Sequence, residues 1–190
     1  MLNKMILSAL LALSATSALA DDLSKYQEES RAVIGPFMQQ LMAENKKAVA
    51  EGGPVSAIKV CKEIAPKLAA DVSKQNNIRL SRVSLKVRNQ KLGTPDAWEQ
   101  KTLKQFEERI AKGEKPETLE ASEIVSDASG KSFRFMKGVV LQPGCVACHG
   151  PADQLAPEVK AKLAEEYPND QATGYAPGQV RGGVSFKRSL

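Results

Sequence analysis

The sequence is poor in residues that many binding and catalytic sites use. Its 190 residues include one histidine, three cysteines and one tryptophan, and aromatic residues make up 5%. The 27 basic and 22 acidic residues are interspersed, giving a formal charge of +5 without a basic block. This pattern argues against nucleic-acid binding. With 42% hydrophobic and 26% charged residues, the chain is neither wholly disordered nor a multi-span membrane protein, and its length suits one domain with a real core.

Residues 1–20 have the features of a secretory signal peptide. Lys4 precedes an apolar run over 6–13, and Ala18 and Ala20 are the small residues of a cleavage site. The sequence therefore predicts cleavage after Ala20 and a periplasmic protein. The apolar run is too short for a retained membrane span. The mature chain, residues 21–190, is predicted to form a single domain.

Hydrophobic periodicity in the mature chain predicts an α+β fold. The predicted elements are a long amphipathic N-terminal helix over 24–51 with a kink at Gly35 and Pro36, a second helix that ends at Asn76 and Asn77, a strand over 78–87 with a bulge, a helix over 95–112 whose cap and first turn are Thr94 and Pro95, a hairpin of strands 118–126 and 131–141, and a last strand over 182–188. Apolar spacing places Cys61 on the buried face of the second helix, and Pro66 is expected to bend that helix.

One motif stands well above background. Cys145-Val146-Ala147-Cys148-His149 is the C-x-x-C-H signal for attachment of c-type haem. Two thiols at this spacing reach the two vinyl groups on one edge of the porphyrin, and the adjacent imidazole is placed as an axial ligand of the iron. The sequence thus predicts one covalent haem c on Cys145 and Cys148 with His149 on the iron, in agreement with the predicted export.

Two other uses of these residues compete with haem attachment. A structural or redox-active disulfide between Cys145 and Cys148 would use the same thiols, but thioredoxin-type pairs open a helix after a strand, whereas Pro143 and Gly144 precede this pair. A zinc site of Cys61, Cys145, Cys148 and His149 has suitable donors. Structural zinc sites usually draw on two closely spaced pairs of ligands. Both alternatives therefore rank below covalent haem.

The second axial ligand cannot be another histidine of this chain, because His149 is the only one. The candidates are the thioethers of Met38, Met42 and Met136, the Cys61 thiolate, a lysine amine, or an open position. Methionines at helical spacing more often fill a core than bind iron. The spacing of Cys61 fits an axial ligand and an inert buried thiol equally well.

Three blocks of the sequence resemble a family of single-haem c-type domains with a PAS-like sensor fold. They are Cys61 to Pro66, Arg82 to Asn89 leading to Thr94-Pro-Asp-Ala-Trp98-Glu99, and Cys145 to Gly150 leading to Tyr167-Pro, Ala172-Thr-Gly-Tyr175 and Arg181-Gly182. The resemblance covers residues 25–188. It implies a PAS-like antiparallel sheet with flanking helices and iron held by His149 and Cys61.

The resemblance leaves two roles open. One is a redox or diatomic-gas sensor, in which a labile Cys61 ligand gives way to NO or CO and a signalling partner reads the change. The other is a small electron-transfer cytochrome with fixed ligands and a redox partner. Enzymatic activity is not expected, because peroxidase-like catalysis needs distal acid–base groups and this chain offers no distal histidine. Arg88 and Arg181 are candidate partners of the haem propionates, and structural pairing is an equal alternative for each.

Overall fold

A four-stranded antiparallel sheet with helices against both faces forms this molecule, and the α+β class is confirmed. The computed structural model describes residues 22–128 and 130–190, so the predicted signal peptide and its cleavage site after Ala20 lie outside the described part. Within that part, no helix combines the length and the hydrophobicity needed to cross a bilayer. The elements are α1 (Leu2–Lys59, described from residue 22), a π-helical turn (Val60–Ile64), α2 (Ala65–Asn76), β1 (Arg79–Val83), α3 (Gln90–Gly93), α4 (Ala97–Ala111), β2 (Glu120–Asp127), β3 (Gly130–Val140), a 3-10 turn (Pro143–Cys145), α5 (Val146–His149), α6 (Pro157–Glu166) and β4 (Val180–Ser189).

The N-terminal half is a helical hairpin. Helix α1 breaks at Gly52 and Gly53, where Gly53 has a φ of 70°, a conformation that glycine adopts without steric cost. The break predicted after residue 51 is therefore confirmed, whereas Pro36 keeps helical backbone angles within α1. The returning arm runs through the π-helical turn into α2 and ends at Asn77, which is left-handed as predicted for a stop signal.

The sheet has the strand order β1-β4-β3-β2, and its two faces carry separate cores. The helical hairpin covers one face with Ile34 and Phe37 against Phe133 and Phe135 of β3. Helix α4 covers the other face through a second cluster. That cluster consists of Val83, Leu103, Phe106, Leu119, Met136 and Val180. The alternation along β3 follows from the two-residue period of a strand.

Three local predictions were wrong in detail. Strand β1 ends at Val83 instead of continuing to 87 with a bulge, because the chain turns at Ser84, whose hydroxyl lies 2.9 Å from the Lys86 carbonyl oxygen. The irregularity lies in β4 instead. Helix α4 is capped by Asp96, not Thr94, since Asp96 and Glu99 form a reciprocal capping box. Cys61 is half-buried and not buried.

Gly182 is expected to be intolerant of a side chain. A Cβ at this position would lie 2.3 Å from the carbonyl oxygen of Val83, the last residue of β1 that pairs with β4. The Gly182→Ala variant should therefore lose about 1–3 kcal/mol of unfolding free energy in urea denaturation. Gly144→Ala is the matched control, because a Cβ there has nothing within 4 Å. Equal midpoints for the two variants would contradict the prediction.

Candidate cofactor site

The C-x-x-C-H segment forms one compact helical turn. Residues Pro143–Cys145 make a 3-10 turn that continues into α5, and both cysteines of the motif are half-buried free thiols. Gly150 closes the turn by donating its N–H to the Val146 carbonyl oxygen at 2.8 Å. A Cβ on Gly150 would lie 2.6 Å from that same oxygen, so the turn requires glycine after the histidine.

His149 is oriented by a backbone hydrogen bond. Its Nδ1 lies 2.7 Å from the carbonyl oxygen of Ala172, and its ring meets Tyr175 edge to face with centroids 6.5 Å apart. A carbonyl only accepts, so Nδ1 carries the proton and Nε2 keeps its lone pair for a metal. Burial, together with the Arg88 and Arg181 charges, lowers the pKa of His149 to about 3. The imidazole is therefore neutral and ligand-competent at physiological pH.

Arg88 and Asp170 support this hydrogen bond from behind. The Arg88 guanidinium pairs with Asp170 at 3.0 Å, and the two side chains are only 9% and 11% exposed. Arg88 also donates to the carbonyl oxygens of Cys148 at 2.6 Å and Ala172 at 3.3 Å. Asp170 in turn accepts from the Ala172 N–H at 2.8 Å. The pair thus ties the C-x-x-C-H turn to the loop that holds His149.

Arg181 reaches the site from a β-bulge. Val139 and Val140 of β3 pair with Gly182 and Val180 of β4, which leaves Arg181 as the extra residue. Bulges re-aim side chains in this way. Its guanidinium donates to Ser84 Oγ at 2.6 Å, and its Nε lies 3.2 Å from His149 Nδ1. Because that Nδ1 already carries a proton, it cannot accept a hydrogen bond from Arg181, and the two groups are only in close contact.

The guanidinium of Arg181 has no carboxylate of its own. Burial lowers its pKa, and it makes no ion pair with any acidic residue of the described chain. Arg82 is half-buried and also lacks a carboxylate partner, since its only side-chain hydrogen bond among the described residues runs from Nη2 to the Cys61 carbonyl oxygen at 3.4 Å. Buried cations are usually paired. These two arginines are therefore available to an anionic group.

Cys61 lies on the returning arm of the helical hairpin, beside α1. Its Sγ lies 4.0 Å from Asn45 Nδ2 of α1. Met42 and Val49 share the helix face of Asn45 and are 45% and 42% exposed, while Ile64, one turn beyond Cys61, is 38% exposed. Large apolar side chains thus lie open to solvent beside this thiol.

A small third core brings the Cys61 arm and the C-x-x-C-H turn together. Ile58 of α1, one turn before Cys61, packs against Leu155, Val159, Leu163 and Tyr167, and Cys148 joins the cluster. The Cys148 thiol lies 3.9 Å from the Pro54 carbonyl oxygen, and burial raises the pKa of this thiol. Two segments some 90 residues apart in sequence are thereby held side by side.

Three of the predicted alternatives find no support in this geometry. No group of three or more His, Cys, Asp or Glu side chains in the described residues is arranged to hold a metal ion, which argues against the zinc site of Cys61, Cys145, Cys148 and His149. Met136 is fully buried in the α4 core, and Met38 packs against the hairpin core. Both methionines fill cores, as their helical or strand spacing suggests.

Sequence reasoning missed Arg82, Asp170 and the carbonyl of Ala172. Asp170 lies between two of the sequence blocks quoted above, so its position was a usable signal. A backbone carbonyl has no side-chain signature, and the bulge that turns Arg181 depends on strand register. Neither follows from residue types.

Comparisons with known proteins agree with this architecture. A family model described as Tll0287-like matches residues 8–189. Among solved structures, the crystal structure of the cyanobacterial heme-protein Tll0287 is similar with a TM-score of 0.63 and 20% sequence identity, and the match covers 85% of this chain and 96% of that chain. At this identity the similarity shows a shared fold. A search of curated proteins gave no significant match.

Proposed function

Since this chain belongs to the Tll0287-like family, we propose that it binds one covalent haem c in the periplasm and senses redox state or a diatomic gas such as NO or CO. The observation that carries the proposal is the 2.7 Å hydrogen bond from His149 to Ala172. It fixes the tautomer and leaves Nε2 free, as the second-shell partner of a metal-ligating histidine does. The similar cyanobacterial structure is that of a heme protein, which supports the same cofactor.

The residues around Cys61 and the C-x-x-C-H turn fit a haem. The three cysteines are free thiols. The apolar side chains of Met42, Val49 and Ile64 would cover porphyrin surface, whose exposure to water is unfavourable. Unpaired Arg181 suits a propionate, because a guanidinium fork matches a carboxylate. Arg88 is committed to Asp170, so we assign it to the support of His149 and not to a propionate.

In the proposed site Cys145 and Cys148 would hold the haem covalently, each through a thioether made by addition of its S–H across one vinyl group. His149 and Cys61 would supply the protein ligands of the iron. Bound haem supplies a one-electron iron couple and a coordination position for a diatomic gas. Cys61 would be the labile ligand, because a thiolate stabilises ferric iron and a protonated thiol is a weaker ligand for the reduced iron.

Ligand loss gives the proposed signal. Cys61 lies on the returning arm of the helical hairpin, which packs directly on the sheet. Its release shifts that arm relative to the sheet, and a partner protein that contacts the hairpin reads the shift. Such a mechanism requires no catalysis, and we propose that the chain is not an enzyme.

The visible absorption spectrum of the matured exported protein tests this function. It should be recorded oxidised, after dithionite, and after dithionite plus CO. We expect a six-coordinate ferric spectrum with thiolate character and a reduced protein that binds CO readily, because the Cys61 ligand has left. Cys61→Ser should alter the ferric spectrum while haem stays attached.

Two outcomes would redirect the proposal. A reduced protein that is six-coordinate and indifferent to CO keeps both ligands and is a periplasmic electron carrier. A Cys61→Ser protein with the wild-type spectrum and CO binding excludes Cys61 as a ligand. Met42, which shares the helix face of Asn45, is then the next thioether to replace.

A further inference from the structure

The turn that carries Cys61 is not α-helical. Residues Val60–Ile64 form a π-helical turn, and the Ala65 N–H donates to the Val60 carbonyl oxygen five residues earlier. An α-helix would connect Ala65 to Cys61, four residues earlier. Such turns contain one extra residue and occur frequently at functional sites. The extra residue here falls in the segment that presents the proposed ligand.

Pro66 accounts for the open turn, because in a regular α-helix its ring would clash with the carbonyl of Lys62, four residues earlier. In this register the next donor in sequence would be the backbone N–H of residue 66, and its acceptor would be the Cys61 carbonyl oxygen. Proline has no N–H, so Cys61 receives no such backbone hydrogen bond. The vacant carbonyl is taken instead by Arg82, whose Nη2 donates to it at 3.4 Å from strand β1. Pro66 and Arg82 therefore act on the same atom.

The open turn changes which side chain faces the core. Val60 is 4% exposed and Ala65 is fully buried, whereas Cys61 between them is half-buried. A helix rotates by about 100° per residue, so one extra residue turns the following side chains by about that angle. In a regular helix the spacing from Ile58 to Ala65 would direct Cys61 into the core. The π-helical turn instead leaves its Sγ beside Asn45.

We infer that Pro66 and Arg82 are positioning residues that hold the Cys61 thiol outside the core, where it serves as the axial ligand. Pro66 prevents the turn from closing into an α-helix, and Arg82 satisfies the carbonyl that the open turn leaves without a donor. The inference rests on the proposed function, in which Cys61 binds the haem iron. It adds two residues that touch neither the C-x-x-C-H motif nor His149.

The test is Pro66→Ala in the mature holoprotein, read by the electron paramagnetic resonance of the ferric state and by the midpoint potential. Without the proline ring the Lys62 carbonyl can take its α-helical position and accept from the N–H of residue 66, so the turn closes and Cys61 rotates toward the core. We expect loss of at least half of the low-spin thiolate signal and a positive shift of the potential, because an anionic donor is removed. Pro36→Ala is the matched control, since Pro36 also lies inside a helix but away from Cys61.

Arg82 gives an independent arm of the experiment. Arg82→Met keeps the length of the side chain but removes its donors, and we expect a partial loss of the thiolate signal. Arg82→Lys should restore most of it, because an ammonium still reaches a carbonyl. Arg79→Met, on the exposed start of the same strand, should leave the spectrum unchanged.

The outcomes separate this inference from the proposed function. If Pro66→Ala and Arg82→Met keep the full thiolate signal and potential while Cys61→Ser loses them, the positioning role is wrong and the ligand assignment stands. If wild type and Cys61→Ser have the same ferric signal, the ligand assignment itself fails, and the positioning role fails with it.

Discussion

Replacing Cys145 and Cys148 together by alanine is expected to abolish covalent haem completely. Wild-type protein, produced with its leader in a host that matures c-type cytochromes, should keep its haem through denaturing electrophoresis and acidified butanone extraction. The double variant should show no haem in the denatured band, because thioether bonds need both thiols as donors and a lone axial imidazole does not survive denaturation. Peroxidase staining of the gel provides the measurement.

Cys61→Ala is the matched control for this experiment. It removes the remaining cysteine, which is also a half-buried free thiol, and should retain covalent haem at the wild-type level. Extraction of haem from the wild-type protein would show that attachment is not covalent. Equal staining of the double variant and wild type would exclude the C-x-x-C-H segment as the attachment site.

Asp170→Asn is expected to cost about 3 kcal/mol of unfolding free energy. The side chain keeps an oxygen for the Ala172 N–H but loses the charge that pairs with Arg88 at 3.0 Å. Arg88, 9% exposed, is then left as a nearly buried cation without its partner, which typically costs 3–5 kcal/mol. Urea denaturation of the apoprotein measures the loss without a contribution from haem.

Asp153→Asn provides the control, because Asp153 is exposed on the loop after the C-x-x-C-H turn. A change within about 0.5 kcal/mol is expected for it, as for most surface substitutions. If Asp170→Asn is equally mild, the ion pair does not contribute to the stability of the loop. The hydrogen bond from His149 to Ala172 would then depend on backbone packing alone.

The cysteine and Asp170 experiments test different parts of the site. The first asks whether the two cysteines attach a cofactor, and the second asks how firmly the Arg88–Asp170 pair holds the loop beside His149. A haem that is attached but loosely oriented would show normal staining and a broadened ferric spectrum. Separate readouts therefore keep attachment and orientation distinct.

The sequence alone determined the features that depend on local chemistry. The C-x-x-C-H motif predicted Cys145, Cys148 and His149 as haem-binding residues from residue type and spacing, and that assignment stays a prediction. Gly53 and Asn77 marked helix ends because their backbone conformations are local properties. The hairpin of β2 and β3 followed from a two-residue period and a turn, since strand alternation is also a local pattern.

Other features depended on the tertiary structure. Hydrophobic spacing predicted a buried Cys61, but the π-helical turn before Pro66 shifted the register and exposed the thiol partly. A period of 3.6 assumes an unbroken helix, so no count of apolar positions reveals an inserted residue.

The partner of Arg88 also depends on the tertiary structure. An arginine in the sequence is free to meet a propionate or a carboxylate of the protein, and only the fold places Asp170 beside it. The same holds for Arg181, which points at His149 because a bulge in β4 turns it there. Residue type fixes what a side chain binds, whereas strand register and core packing fix which partner comes within its reach.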